Sequence, residues 1–292
     1  MTVIVGRRAP LLSTTVAAVL VASAGATGLS QARIDVSYAP GLDAGFHLLY
    51  ELKPVEARLK FAVWQQTHPG DPLGSASEAA SYLFEECYRQ GVLTSEFFLD
   101  DKRLLGEVAL EPDRAGRAAF LAADRRAQDL SQLRLATNAD DANALFAMTL
   151  AVGMQADYAA LIEKRHLDSL RMIRHAGSYA RRLLQVAPDA ADAYLVLGAA
   201  NYIIGSQALH KRIFLRLAGI RGDKDEGIQQ LEIVSARGRY LRPFGKILLA
   251  LAALREKQTE LARAQLTELV AEFPHNSLFV GELAKSMDLT QP

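Results

Sequence analysis

Apolar residues recur every three to four positions through nearly all of the chain after residue 40. Leu145, Met148 and Val152 fall on one face of a run that follows Asp140 and Asp141, residues suited to capping a helix start. Leu170, Ile173, Ala176, Ala180, Leu183 and Leu184 form a second stripe stepping by three and four, which Pro188 and Asp189 bring to an end. Alternating β-branched runs and Asn-Gly or Asp-Gly hairpin turns do not occur in this part of the chain. Breaks fall at His68 to Ser75, Asp100 to Asp101, Glu111 to Arg114, Asn138 to Asp141, Pro188 to Asp189, Gly222 to Asp225 and Pro274 to Asn276. The pattern predicts an all-α protein of helices joined by short turns, arranged as antiparallel pairs.

One spacing recurs three times. Ala57, Phe61 and Pro69 carry it first, then Ala176, Ala180 and Pro188, then Ala262, Leu266 and Pro274, the first residue standing 12 before the proline in each set. Two sets extend backward by the same step, Gly45 lying 12 before Ala57 and Ala250 lying 12 before Ala262. A shared spacing at separate places marks an internal repeat, and a repeat constrains architecture more strongly than any single motif.

These residues give the chain a resemblance to tetratricopeptide repeat proteins, whose unit is a helix, a tight turn and a second helix in about 34 residues. In the stretch APDAADAYLVLGAANYIIG, Tyr194, Leu197 and Gly198 match the first-helix pattern, while Asn201 stands where an aromatic is usual and Tyr202 comes one step late. In the last repeat Leu249, Ala250, Ala262, Leu266 and Pro274 fall in place, and Ala253 replaces an aromatic. In the first, Gly45, Ala57, Phe61 and Pro69 match, and Trp64 replaces a small residue. Gly198 is expected where a paired helix crosses, opposite Gly227, and Gly205 where a helix ends with positive φ. The gap from Gly198 to Gly227 is 29 residues rather than 12, so an inserted helical segment is expected at about 206–225. The resemblance implies an α-solenoid wound as a right-handed superhelix, a binding scaffold rather than an enzyme, and a concave groove lined by first helices. Asn201, Tyr202 and Lys246 are the groove candidates that follow from it. Tyr202 has a second reading, as a core residue, that stays open.

The N-terminus changes the expected address. Arg7 and Arg8 precede the short apolar run Val16 to Ala24, and Ser30-Gln31-Ala32 offers a cleavage site, so residues 1–32 read as a signal peptide. The uncharged stretch Ala9 to Leu29 is also long enough for an uncleaved anchor. Either reading places residues 33–292 as one repeat domain in a bacterial periplasm or at a cell surface. No further stretch reads as a membrane span. The chain has 33 basic and 33 acidic residues, and removing Arg7 and Arg8 leaves 31 against 33, so no overall bias toward nucleic acid exists. The one cysteine, Cys87, lies in a helical pattern without an activating partner and reads as a buried structural thiol.

Motifs for catalysis, cofactors and metals are missing from the sequence. No histidine lies in a metal-protease spacing, and no phosphate loop, nucleophile elbow or dinucleotide fingerprint occurs. Arg221-Gly222-Asp223 reads as a turn before a helix. The insertion is sharper: Lys211, Arg212, Arg216, Arg221 and Lys224 interleave with Ile213, Phe214, Leu215, Leu217 and Ile220. Such a segment either packs on the solenoid, docks a protein partner, or lies on an anionic membrane surface. Arg237, Arg239, Arg242 and Lys246 form a second basic group, which would make an anion-binding patch if it faced the first.

Overall fold

Proline sets the ends of three helices. In the computed structural model, which describes residues 39–106, 108, 110–207 and 221–288, the helices before Pro69, Pro188 and Pro274 stop one residue short of the proline, at caps His68, Ala187 and Phe273. The residue before a proline is pushed out of the helical region, so the sequence fixes the stop. The expected signal at 1–32, and Lys211, Arg212 and Arg216 of the insertion, lie outside the described residues.

Along the chain the helices are α1 Pro40–Tyr50, α2 Pro54–Thr67, α3 Pro72–Arg89, the short α4 Ser95–Leu99 and α5 Asp101–Leu105, and α6 Arg114–Thr137. Next come α7 Ala142–Asp157 with a π-turn at Tyr158–Ile162, α8 His166–Val186, a 3-10 turn at Ala191–Ala193, and α9 Tyr194–Gly205. The last four are α10 Lys224–Arg237, α11 Arg242–Arg255, α12 Thr259–Glu272 and α13 Ser277–Asp288. Among the described residues no strand occurs. Packed neighbours are α1 with α2, α3 with α6, α7 with α8, α9 with α10, and α11 with α12.

Two kinds of turn alternate, and each repeats its hydrogen bonds. Inside a pair the first helix ends in a left-handed residue: Leu52 at φ 60 after α1 and Lys257 at φ 60 after α11, with Gly91 at φ 67 after α3. Lys53 N–H then donates to Leu48 O at 2.9 Å, Gln258 N–H to Ala253 O at 2.8 Å and Val92 N–H to Cys87 O at 3.1 Å, the six-to-one bond of a Schellman cap. Between pairs a tight turn forms instead. Asp71 N–H donates to His68 O at 3.0 Å, Asp141 to Asn138 at 3.1 Å, Ala190 to Ala187 at 3.0 Å and Asn276 to Phe273 at 3.1 Å. Asp71, Asp141 and Asn276 then cap the next helix through their side chains. Asn138 to Asp141 shares this turn without a proline.

The repeated small residues sit at crossings. Ala57, Ala176, Ala180, Ala250 and Ala262 are all buried. A Cβ at Gly227 would lie 2.5 Å from Tyr202 N and 2.9 Å from Gly198 O, so α9 and α10 cross backbone to backbone where expected. Trp64 is accommodated by two glycines: added Cβ atoms at Gly41 and Gly74 would come within 3.2 and 3.1 Å of its ring. Its Nε1–H donates to Asp71 at 2.8 Å, and His68 stacks on it at 3.7 Å. Gly205 differs from expectation. It ends α9 without positive φ and is needed for closeness instead, since a Cβ there would lie 2.3 Å from Lys224 N.

One hydrophobic cluster runs from Ala39 to Phe279. It joins α1 to the turns that precede α11 and α13. Phe46 packs on Tyr240 at 5.0 Å, Tyr50 on Phe273 at 5.5 Å, and Phe273 on Phe279 at 6.0 Å. Phe279 is therefore core. The run Ala142–Ile162 is long and apolar enough to cross a membrane, contrary to the reading that no such stretch follows the N-terminus, but 61% of its apolar 18-residue window is buried inside the fold. It is apolar on all sides because neighbours cover it on all sides.

Candidate functional site

The expected groove residues do not form an open site. The side chain of Lys246 is buried, and its ammonium meets Glu268 at 2.6 Å. Tyr202 is buried too, its hydroxyl donating to Ala252 O at 3.3 Å, an environment that matches its reading as a core residue. Asn201 is half-buried and donates to Gln230 across the α9–α10 seam at 3.0 Å. The second basic group is dispersed: Arg242 pairs with Glu272, Lys246 with Glu268, and Arg239 lies in the field of buried Asp192. Lys224 pairs with Glu256 at 2.7 Å. The acids that meet Arg242, Lys246 and Lys224 come from neighbouring helices and offset part of the cluster's charge.

A basic site forms elsewhere, between α8 and α9. Helix α8 turns Ala176, Ala180 and Leu183 into the core. Its opposite side carries Arg171, Arg174, Ser178 and Arg181, spaced i, i+3, i+7 and i+10, one continuous face of a helix. Helix α9 is pinned to α10 by the Gly198–Gly227 crossing, which leaves Val196, Leu197, Ala200 and Ile204 facing α8. Between them lies a cleft of about 690 Å³, completed by Ile173, His175, Asn201 and Arg221. Its floor is aliphatic and its rim carries arginine. No carboxylate lines it among the described residues.

Arg221 is brought to the rim by its neighbours. Gly222 packs against α9 so closely that a Cβ would lie 2.6 Å from Ile204 Cβ and 3.0 Å from Asn201 O. Asp223 caps α10, accepting from the N–H groups of Asp225 and Glu226 at 3.0 Å each. The Arg-Gly-Asp tripeptide is thus a helix start. Arg181 folds back over buried Gly177, its Nη1 3.4 Å from where a Cβ would stand. Of the α8 arginines, Arg182 pairs with Asp140 at 2.8 Å and Arg171 with Asp168 at 3.3 Å. Arg174, Arg181 and Arg221 have no carboxylate partner among the described residues.

Arginine remains charged at any physiological pH and offers donors without acceptors, so what this lining can offer chemically is charge-assisted hydrogen bonding to an anion. The signal was present in sequence: α8 holds four arginines against the one acid Asp168. It is concealed when charge is summed over the whole chain. Comparison of the sequence with protein-family models finds no match, and comparison with curated proteins finds none.

Proposed function

We propose that this protein is a non-catalytic scaffold of the tetratricopeptide type, exported to the bacterial periplasm or cell surface, that holds a protein or peptide partner. The α8–α9 cleft carries the reading. Three arginines without a carboxylate partner among the described residues converge around an aliphatic floor that no carboxylate lines. Leaving like charges together disfavours the free protein, and an anionic partner relieves it. The alternating turns and the small residues at helix crossings support the repeat assignment. Arg7, Arg8 and the apolar run after them support the address. The test is a photo-crosslinking amino acid placed in intact cells at Ser178, in the cleft, and at exposed Lys60 on α2 as control. A discrete protein adduct at Ser178 but not at Lys60 is expected. No adduct at Ser178, or the same adducts at both, overturns the scaffold reading.

A further inference from the structure

We infer that the α8–α9 cleft takes an extended peptide in which acidic and aliphatic residues alternate; this rests on the scaffold reading above. Length sets the first limit. Arg171 and Arg181 stand ten residues apart on α8, about 15 Å at 1.5 Å per residue. A single phosphate or carboxylate spans a fraction of that distance. An extended segment, rising about 3.3 Å per residue, covers it in roughly five residues.

Volume sets the second. The cleft holds about 690 Å³. An extended segment, slimmer than a helix 10–12 Å across with its side chains, makes the smaller demand on that volume. The surface chemistry sets the third. Successive side chains of an extended peptide point to opposite sides. One set would then meet Arg174, Arg181 and Arg221 at the rim, and the other Val196, Leu197 and Ile204 on the floor. No Phe, Tyr or Trp lines the cleft among the described residues, so a base entering it would find one imidazole, that of His175, and no larger aromatic ring to stack on.

The experiment measures fluorescence anisotropy of a labelled Asp-Leu-Asp-Leu-Asp-Leu peptide with the full chain. The competitors are the block isomer Asp-Asp-Asp-Leu-Leu-Leu, oligothymidylate and vesicles of anionic phospholipid. The alternating peptide is expected to bind best, and Arg174→Glu with Arg181→Glu to weaken it by at least about tenfold. Both residues are exposed, so an unchanged melting curve will certify the fold of the variant. Equal binding of the block isomer, preferential binding of oligothymidylate or vesicles, or affinity unmoved by the double substitution overturns the inference. An adduct at Ser178 that the alternating peptide does not displace overturns the inference alone. Absence of the adduct overturns the scaffold reading itself.

Discussion

The hydroxyl of Tyr50 donates to the backbone carbonyl of Tyr240 at 3.0 Å, although 190 residues separate them. The contact is reciprocal. The Tyr240 hydroxyl accepts from Ala39 N–H at 3.3 Å, and Asn276 Nδ2 donates to Tyr50 O at 2.7 Å. Helix α1 is thereby tied to the turn before α11 and to the cap of α13. Helix pairs that touched only their sequence neighbours would leave Phe46 and Tyr50 without these partners. Here the chain's own aromatic side chains bury one another instead.

That tie gives a stability prediction. Asn276 is 1% exposed and does three things: its Oδ1 accepts from Leu278 and Phe279 N–H, and its amide reaches Tyr50. Asn276→Ala is expected to cost about 2–4 kcal/mol, combining a lost helix cap with a buried carbonyl left unpaired. Tyr50→Phe removes one hydrogen bond and strands the Tyr240 carbonyl, costing about 1–3 kcal/mol. Urea unfolding checks both. A midpoint unchanged in either variant would mean that the tie between α1 and the C-terminal helices contributes nothing to folding.

The glycines give a matched pair. An alanine at Gly227 would set its Cβ 2.5 Å from the backbone nitrogen of Tyr202, which a rotamer change cannot relieve. The α9–α10 crossing must open, at an expected cost of about 2–4 kcal/mol. At Gly281, inside α13, an added Cβ meets nothing within 4 Å. Gly281→Ala is expected to stabilise by up to about 1 kcal/mol, the usual gain of alanine over glycine in a helix. Thermal unfolding of the two variants in parallel separates close approach from helix propensity.

Local features were legible in the sequence. Pro69, Pro188 and Pro274 act on the residue before them, so helix ends follow directly. Gly198 and Gly227 were readable because small residues permit crossings. The relation of Tyr50 to Tyr240 was not, since it depends on how several helix pairs accumulate their rotations. Lys246 misled for a related reason: its partner Glu268 is on the next helix, and basic residues counted along the chain take no account of acids across a seam. Trp64 looked like a departure because its compensation lies at Gly41 and Gly74, each in a different helix from the ring.

Asp124 makes stability depend on pH. It lies fully buried in α6, with Oδ2 accepting from Gln128 at 2.8 Å and from Gln155, while Oδ1 has no partner among the described residues. Burial pushes its carboxyl up from 3.8 to about 6, against the two amide hydrogen bonds. A raised folded value means that the proton favours the native state. This contribution is full below about pH 4 and is lost as pH rises through about 6, amounting to at most about 3 kcal/mol. Asp124→Asn keeps an acceptor for Gln128 and Gln155 and cannot ionise. The free energy gained by the variant over the parent is expected to grow between pH 4 and pH 7 and then level off. A gain independent of pH would show that Asp124 does not titrate in that interval.

Placement of Arg221 gives the last prediction. The residue is exposed, and its backbone position depends on Gly222 pressing against Ile204 and Asn201. Gly222→Ala would drive a Cβ to 2.6 Å from Ile204 Cβ, so residues 221–223 must move off α9 and carry the guanidinium away from the rim. Arg221→Ala removes the charge and leaves the backbone where it is. If position and charge act together, both variants should weaken the alternating acidic peptide by a similar factor, on the order of three- to tenfold. Arg221→Lys, which keeps charge but lacks the planar fork, should fall between them and the parent. Loss of affinity in Arg221→Ala with full affinity in Gly222→Ala would separate the two effects. The charge would then act without a fixed position, and the close packing of Gly222 would serve only the start of α10.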